Sequence, residues 1–392
     1  MTVTPVYLDH AATTPIRPEV LEAMLPLLGG ELFGNPSSGH QFGRAAHAAL
    51  EGARREVATA LGVEPASVLF TSGGTEANNL AILGSALAAR DRGERMLVAV
   101  AATEHKAVLA AAHAVAHLGG AEQVIPVTGD GVVDMGALDR ILGERPAVLS
   151  VMWVNNETGV IQPIAEIARH AEAAAVPFHT DLVQAFGKVP FTLRDHPAIG
   201  LATLSGHKIG APKGIGALIV RDQARLAPLV HGGGQQRGLR PGTENIVGAV
   251  GLGRAAMLAA AHAPREAQRL GGLLADLRAR LSATIPDLIV VGGDSPRSPH
   301  VLNILVPGAE TETLLMHLDL AGIAASGGSA CATGAIEPSH VLLAMGIPPD
   351  RARSAIRLSL GRETTADDIV RAATAIPAIV TRLRHTTGAQ HA

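Results

Sequence analysis

Lys208 offers the clearest opportunity for chemistry in this chain, at the end of the run Ser205 to Lys208, which reads Ser-Gly-His-Lys. The run follows the apolar stretch Leu201–Leu204, so the lysine stands at the predicted end of a buried strand. A lysine amine reacts with an aldehyde only when burial or a nearby positive charge lowers its pKa and leaves part of it neutral. The chain has four lysines, so few others compete for this role. The alternative is an ordinary surface turn, because short motifs of this kind often occur by chance.

A second run, Ser72 to Thr75, could hold a phosphate. It follows the predicted strand Ser67–Thr71 and precedes a helix predicted over Glu76–Ala89. Glycines let the backbone approach an anion, and the start of a helix presents free N–H groups with a positive dipole. The sequence has neither the Walker A spacing nor the dinucleotide fingerprint, which excludes those nucleotide sites. The same run is also a normal helix cap.

Arg357 and Cys331 are the other reactive or charged residues in unusual surroundings. Arg357 lies within an apolar predicted strand, where an unpaired charge would be costly, and its guanidinium could bind an α-carboxylate through two parallel hydrogen bonds. A buried salt bridge is the alternative role. Cys331 is the single cysteine and lies in a run of small residues typical of an exposed loop, which favours a reactive role over that of an inert buried thiol.

Composition indicates a soluble enzyme with more than one core. A chain of 392 residues with 47% hydrophobic content can form one large and one smaller packed domain. The net charge is −3, and basic residues are not clustered in a stripe, so direct nucleic-acid binding is not expected. The start of the chain has no leader pattern, and the apolar segment Ile246–Ala261 is interrupted by Arg254 and several glycines. We therefore expect a cytoplasmic protein that does not enter a membrane, and the lone cysteine fits a reducing compartment.

Apolar runs alternate with helical patterns through the first two thirds of the chain, which predicts an α/β layer structure with a parallel sheet. The strands are predicted at Ser67–Thr71, Met96–Val100, Gln123–Val127, Ala147–Val154, Pro177–Thr180, Leu201–Ser205 and Ile215–Val220. Helices are predicted at Pro18–Leu28 and Gly39–Leu61, and a long one at Arg254–Ile285. Strands then follow at Leu288–Val291, Val301–Val306 and Ala355–Leu360, which predicts a second, α+β domain at the C-terminal end. The glycine-rich stretch His231–Thr243 is predicted to be a loop.

Eleven short motifs occur along the chain in a fixed order. They are Tyr7 to Pro15, Phe33 to Ser38, Thr71 to Glu76, Thr103 to Lys106, Asn155 to Gly159, His179 to Gln184, Ser205 to Lys208, Lys213 to Gly216, Arg240 to Asn245, Ser326 to Cys331 and Ile356 to Gly361. In this order and at these separations, they closely resemble the motifs of the cysteine desulfurases. These are pyridoxal-phosphate enzymes of the class V aminotransferase group and of fold type I, and the loop around Cys331 is similar to that of their long-loop branch.

The resemblance implies a fold of two domains. A large domain with a mainly parallel seven-stranded sheet should bind pyridoxal 5′-phosphate and span residues 16–255. A smaller α+β domain should comprise residues 1–15 with 256–392 and carry the Cys331 loop, so that the N-terminal arm packs near the C-terminal part of the chain.

The resemblance also assigns roles to individual residues. The implied catalytic residues are Lys208, Cys331 and His105; the cofactor would be held by Gly74, Thr75, His105, Asn155, Asp181, Gln184, Ser205, His207, Lys208 and Thr243; and the substrate would be bound by Asn35, Asn155 and Arg357. No metal site is expected. Asp181 would keep the ring nitrogen protonated, Gln184 would bond the phenolic oxygen, and His105 would lie over the ring and exchange protons with the substrate thiol. Taken alone, Asp181, His105, Asn35 and Asn155 would be turn or helix-start residues.

The implied reaction removes sulfur from L-cysteine, leaves L-alanine and loads a persulfide on Cys331. The persulfide would pass to a protein acceptor, such as an iron–sulfur scaffold or a sulfur carrier; iron–sulfur cluster assembly, tRNA thiolation, DNA phosphorothioation and a biosynthetic pathway all remain open as its destination. Thr243 would reach the phosphate in a neighbouring subunit, which implies a homodimer. The alternatives are a selenocysteine lyase, another class V lyase or aminotransferase, and a non-catalytic sulfur-transfer scaffold.

Overall fold

The computed structural model describes residues 5–30, 32–221, 224–327 and 337–388, with side chains described as far as residue 385. Its strands are β1 Val6–Tyr7, β2 Val68–Thr71, β3 Leu97–Ala101, β4 Ala121–Ile125, β5 Val148–Ser150, β6 Phe178–Asp181, β7 Ile199–Ser205, β8 Gly216–Val220, β9 Ile289–Val290, β10 Val301–Leu305, β11 Ile323–Ala324 and β12 Ala355–Ser359. Its α-helices are α1 Pro18–Leu28, α2 Gln41–Leu61, α3 Gly74–Asp91, α4 Lys106–His117, α5 Met135–Leu142, α6 Ile164–Ala173, α7 Ile246–Thr284, α8 Thr311–Leu320, α9 His340–Ala344, α10 Pro349–Ala352 and α11 Ala366–Gly388.

Seven strands form the central sheet, in the order β2-β8-β7-β6-β5-β3-β4. The pairs from β7 through β6, β5 and β3 to β4 are parallel, and β8 runs antiparallel to both β2 and β7. Apart from β4, every strand is buried along its whole length, because helices cover both faces, as parallel sheets require. The predicted α/β sheet of seven mainly parallel strands is confirmed.

A smaller set of strands lies in the second part of the molecule. β12, β10 and β9 form an antiparallel sheet, and β1 at the N-terminal end pairs in parallel with β11. Asp9 forms a further bridge with Ser359 at the end of β12. The N-terminal arm therefore packs against the C-terminal part of the chain, as the sequence predicted.

The two largest clusters of buried side chains lie in different parts of the molecule, and α7 contributes to both. Its first half places Ala249, Leu252 and Ala259 in the core beside the central sheet. Its second half places Leu270 and Leu281 in the core around β10 and β12. A domain boundary at residue 255 would fall inside this helix, and the division into domains stays a prediction that the two cores support.

The start of α7 differs from the predicted helix over Arg254–Ile285. The helix begins eight residues earlier because the Asn245 side chain caps it, accepting a hydrogen bond of 2.9 Å from the N–H of Gly248. A Cβ on Gly253 would lie 3.0 Å from the backbone of Ala53 in α2, so the glycines that seemed to interrupt the helix allow its close packing. α7 is long and apolar enough to cross a membrane by composition, but half of its most apolar window is buried inside the protein.

The strand predicted over Ala147–Val154, in contrast, is shorter in the structure than expected. β5 ends at Ser150, and the chain then turns, so that Val154 pairs with Ile161 in an isolated bridge. The apolar residues after Ser150 are buried in the core without being part of the sheet. Burial alone therefore does not distinguish a strand from a buried loop in this segment.

Candidate active site

A cavity of about 790 Å³ opens at the carboxyl ends of the parallel strands. This is the edge where open α/β sheets usually bind their ligands. Among the residues proposed from the sequence, the cavity wall includes Gly74, Thr75, His105, Asp181, Gln184, Ser205, His207, Lys208 and Arg357. The wall also includes Gly327, the last described residue before the segment that contains Cys331.

Lys208 follows β7 directly, in a short 3₁₀ turn over Gly206–Lys208. Its Nζ donates hydrogen bonds to the carbonyl oxygens of Ala11 and Ala12, at 2.6 and 2.7 Å. Burial, reinforced by the positive charge of Arg357, lowers the pKa of Lys208 from 10.5 to about 8. A usable fraction of the amine is therefore neutral near physiological pH, which is the condition for its reaction with an aldehyde.

Asp181 ends β6 and is held in a fixed orientation. Its Oδ1 accepts a hydrogen bond from the N–H of Val183 and its Oδ2 accepts one from the Asn78 amide, each at 2.8 Å. Only 5% of Asp181 is exposed. A carboxylate held in this way can pair with a protonated ring nitrogen in the cavity.

His105 caps α4, because its Nδ1 accepts a hydrogen bond of 3.1 Å from the N–H of Ala107. Burial lowers the pKa of His105, so the imidazole is neutral near pH 7, and since Nδ1 accepts, Nε2 carries the hydrogen. The neighbouring Glu104 is fully buried, and burial, reinforced by Asp181, raises the pKa of its carboxyl to about 8. His105 is thus both the helix-start residue of the simpler interpretation and part of the cavity wall.

The predicted phosphate cradle lies where β2 passes into α3. Gly73 is the N-cap, and a Cβ added to it would meet no atom within 4 Å, whereas one on Gly74 would lie 3.3 Å from Val183 and 3.4 Å from Ser205. Gly73, Gly74 and Thr75 line the cavity, so the start of α3, where N–H groups have no partner within the helix, lies at its wall. Glu76 accepts from the N–H of Ser72 at 2.7 Å and pairs with Arg240 at 2.9 Å, which fixes the turn.

His207 completes this side of the cavity. Its Nδ1 lies 3.0 Å from the Thr13 hydroxyl, and its carbonyl accepts from the N–H of Thr14 at 3.0 Å. Burial, with Lys208 and Lys213 nearby, lowers the pKa of His207 to about 4. The ring is therefore neutral near pH 7 and can act on an anion only as an uncharged hydrogen-bond donor.

Arg357 projects from β12 with only 4% of its surface exposed. Its Nη2 pairs with the Asp9 carboxylate at 2.8 Å, and its Nη1 donates to the carbonyl of Asn156 at 3.0 Å. The salt bridge considered from the sequence is present, and Asp9 lines the same cavity. Each Nη nitrogen has a second N–H beyond the hydrogen bond described, and the side chain lines the cavity, so the guanidinium has donors left for a substrate carboxylate.

Four of the proposed residues are not brought to the cavity wall by the described part of the chain. The Asn155 side chain is used in its own turn, since Oδ1 accepts from the N–H groups of Glu157 and Thr158 at 2.9 Å and Nδ2 donates to Thr103. Asn35 is exposed and accepts from the N–H of Ser37. Thr243 is exposed outside the cavity, and Cys331 lies outside the described residues.

Three cavity residues were missed by the sequence interpretation. Asn78 lies four residues after Gly74, on the helical face that turns toward Asp181, and this spacing could have revealed it. Asp9 lies within the motif Tyr7 to Pro15, but its ion pair is with Arg357, which is far away in sequence. His340 begins α9 and its Nε2 lies 2.9 Å from the carbonyl of Glu104. Among the described side chains, no group of three or more His, Cys, Asp or Glu is arranged to hold a metal ion.

The donor set fits pyridoxal phosphate in three separate respects. Lys208, whose amine is partly neutral near pH 7, follows β7. The oriented carboxylate of Asp181 ends β6, and the glycine-containing start of α3 lines the same cavity. The start of α3 suits a phosphate group, and the Asp181 carboxylate suits a protonated pyridine nitrogen. Nothing in the wall requires a nucleotide or a metal to explain this combination.

Comparison with known proteins gives consistent results. The family model Aminotransferase class-V matches residues 6–371. A cysteine desulfurase from Cereibacter sphaeroides is 49% identical over 391 residues, covering 97% of this chain and 96% of that protein. The cysteine desulfurase NifS of Azotobacter vinelandii is 45% identical over 381 residues, covering 97% and 94%. Among solved structures, a NifS-like protein from Rickettsia africae is 33% identical, with a TM-score of 0.86 over 96% of this chain and 99% of that one.

Proposed function

The chain belongs to the class V aminotransferase family and is a pyridoxal-phosphate-dependent cysteine desulfurase, and from this premise we propose which of its residues carry the reaction. Lys208 is the residue that binds the cofactor covalently. The observation that carries this proposal is the position of its amine in a cavity shared with Asp181 and Arg357, where burial lowers its pKa. When bound, the cofactor supplies a ring that accepts the electron pair left on the substrate α-carbon after proton removal.

The remaining cofactor contacts follow from the cavity wall. Asp181, oriented by Asn78, would pair with the ring nitrogen, and His105 would supply the wall beside the ring. Gly74, Thr75, Ser205 and His207 hold the phosphate at the start of α3. Gln184 donates to the phenolic oxygen. Asn155 remains a proposed contact because the next residue, Asn156, lines the cavity, although the Asn155 amide is engaged in its own turn.

Proton movement is assigned to Lys208, because its amine lines the cavity and burial lowers its pKa to about 8, which leaves part of it neutral near pH 7. It takes the substrate α-proton and later returns a proton to the product. His105 donates through Nε2 toward the substrate sulfur, since its Nδ1 is used to cap α4. These assignments rest on the side chains that line the cavity and on their protonation near pH 7.

Sulfur transfer is assigned to Cys331, the single cysteine of the chain. Its thiolate attacks the substrate sulfur, an S–S bond forms, the carbon–sulfur bond breaks, and the product leaves as alanine after reprotonation. Gly327 and His340 line the cavity on either side of the segment in sequence, and four residues beyond Gly327 span no more than about 14 Å. This tether supports a role for Cys331 at the cavity.

The pKa of Lys208 predicts the pH dependence of cofactor loading. Only the neutral amine attacks an aldehyde, so in the apoprotein the loading rate should rise about tenfold per pH unit and level off above a pKa of about 8. The rate is measured by the growth of the cofactor absorbance band after mixing with pyridoxal phosphate at a series of pH values. A midpoint near the ordinary lysine value of 10.5 would contradict the burial of this amine.

Arg357→Lys should lower kcat/KM for L-cysteine by about 10- to 100-fold, because an ammonium cannot reproduce the forked hydrogen bonds of the guanidinium. The substitution retains a positive charge beside Asp9, so the cofactor band should be unchanged. Cysteamine lacks the carboxylate and should bind the two proteins equally, as followed by the absorbance of the bound cofactor. An equal loss of affinity for cysteamine would show that Arg357 does not recognise the carboxylate.

Cysteine desulfurases use cysteine and pass its sulfur to acceptors, and we propose that the acceptor here is a protein, an iron–sulfur scaffold or a sulfur carrier. We also propose a cytoplasmic homodimer. Thr243 is exposed and outside the cavity of its own chain, which supports a role at the phosphate of a neighbouring subunit. Its segment is anchored by the pair formed by Arg240 and Glu76, close to the start of α3. Asn35 is proposed to assist substrate binding.

A further inference from the structure

His300 is a fully buried histidine that the reaction above does not use. It directly precedes β10, and its carbonyl accepts a hydrogen bond of 2.8 Å from the N–H of Leu360, just after β12. Its Nε2 lies 3.1 Å from Oε1 of Gln184, and its Nδ1 is hydrogen-bonded to the Ser298 hydroxyl. One imidazole therefore links the sheet of the smaller core to the cavity wall.

The hydrogen-bond pattern determines where each proton lies. The carbonyl of Ala11 can only accept, so the group of Gln184 that lies 2.9 Å from it is the amide nitrogen. The amide oxygen then faces Nε2 of His300, which must carry a hydrogen to bond it. Burial lowers the pKa of His300 well below 6.5, so the ring is neutral and its Nδ1 accepts the Ser298 hydroxyl hydrogen.

This pattern fixes the chemical character of Gln184 toward the cavity. Its amide nitrogen has two N–H groups, of which one is directed to Ala11, so that the second is available to an acceptor in the cavity it lines. A flipped amide would present an oxygen there, and it would place an N–H against the N–H of His300. The same Ala11 carbonyl accepts from Lys208 at 2.6 Å, so Gln184 and Lys208 are adjacent on one backbone group.

We propose that His300 is a positioning residue for the cofactor: by donating to Gln184 it holds the amide as a hydrogen-bond donor toward the phenolic oxygen beside Lys208. This inference rests on the proposed function, in which Gln184 bonds that oxygen. A donor stabilises the oxygen most when the neighbouring Lys208 nitrogen has lost its proton, because the oxygen is then more strongly negative. His300 thereby favours release of the proton from that nitrogen.

The test is a pH titration of the holoenzyme, in which the absorbance of the cofactor reports protonation of the Lys208 nitrogen. His300→Leu removes the donor and leaves the Gln184 oxygen unsatisfied, so the nitrogen should hold its proton about tenfold more tightly. His300→Gln retains an N–H at the position of Nε2 and should recover most of that change. The other charged or titratable groups that face His300 are His10, Lys188, Lys208 and Arg357, all retained in both variants.

A double-mutant cycle with Gln184→Leu separates positioning from a general effect on folding. In the Gln184→Leu background, His300→Leu should cause no further change in the titration, since the amide it orients is gone. An equal change in both backgrounds, or a native-like titration of His300→Leu, would overturn the proposal. If His300→Leu does not fold, Ser298→Ala removes the hydroxyl that holds Nδ1 and should shift proton affinity in the same direction by about threefold, and a native-like titration of that variant would overturn it.

Failure of the proposed function gives a different result. If the native protein shows no cofactor band, or no covalent link at Lys208, the proposed function itself is contradicted. If the native protein shows the cofactor band and the covalent link at Lys208, but replacing His300 does not change the titration, only the inference about positioning is contradicted.

Discussion

Replacement of Lys208 by alanine is expected to lower desulfuration of L-cysteine at least about 1,000-fold, because the proposed covalent cofactor anchor and the proposed proton-transfer group are lost together. Asp181, Arg357 and the start of α3 remain in place, so the variant should still bind pyridoxal phosphate non-covalently. Turnover is measured as alanine release. Covalent attachment is measured by borohydride reduction followed by peptide mass spectrometry.

The four lysines of the chain provide an internal control for that experiment. Lys213 lines the same cavity, and a Lys213→Ala protein should still carry the reduced pyridoxyl adduct on Lys208. An adduct at Lys106, Lys188 or Lys213 in the native protein, with none at Lys208, would contradict the assignment. So would a Lys208→Ala protein that retained an adduct and its turnover.

The second large effect is expected for Cys331→Ala. Removing the nucleophile should abolish the enzyme-bound persulfide and lower alanine release by about 100-fold or more, while the cofactor band stays as in the native protein. Because Cys331 is the single cysteine, the variant has no protein thiol and the persulfide assay has no background from the chain itself. Persulfide is measured by mass spectrometry of the intact protein after a single addition of L-cysteine.

Alanine release at an unchanged rate in Cys331→Ala would contradict the role of this thiol. That result would favour a lyase, which eliminates the substrate sulfur without transferring it to a cysteine of the protein. Cys331→Ser is the matched control for shape, since it keeps a hydroxyl of similar size that is a much weaker nucleophile. It should behave like the alanine variant.

The residues at the strand ends could be predicted from the sequence alone. Lys208, Asp181 and His105 each follow a short apolar run, and such runs predict buried parallel strands whose carboxyl ends meet at one edge. The helix after the glycine turn was predicted from Glu76, and α3 begins two residues earlier, at Gly74, so the glycines are part of the helix start itself. Local patterns of this kind determine secondary structure and, through the sheet, the approximate position of the site.

Partners joined across long stretches of chain were not accessible in the same way. Asp9 and Arg357 are 348 residues apart in sequence, and Asn78 and Asp181 are 103 apart. Their pairing depends on how the N-terminal arm and α3 pack in three dimensions, which periodicity does not encode. The early start of α7 was missed for a related reason, since two of the glycines that usually weaken a helix allow close contact there, Gly251 with α1 and Gly253 with α2.

The backbone of Arg357 joins its strand to the segment that precedes Cys331. Its N–H donates to the carbonyl of Ser326 at 2.6 Å, and the N–H of Ser326 donates back to the Arg357 carbonyl at 3.2 Å. Ser326 precedes Cys331 by five residues. β12, which carries the proposed carboxylate-binding residue, is therefore hydrogen-bonded to the segment that precedes Cys331. We expect substrate binding and placement of the thiol to depend on this one strand.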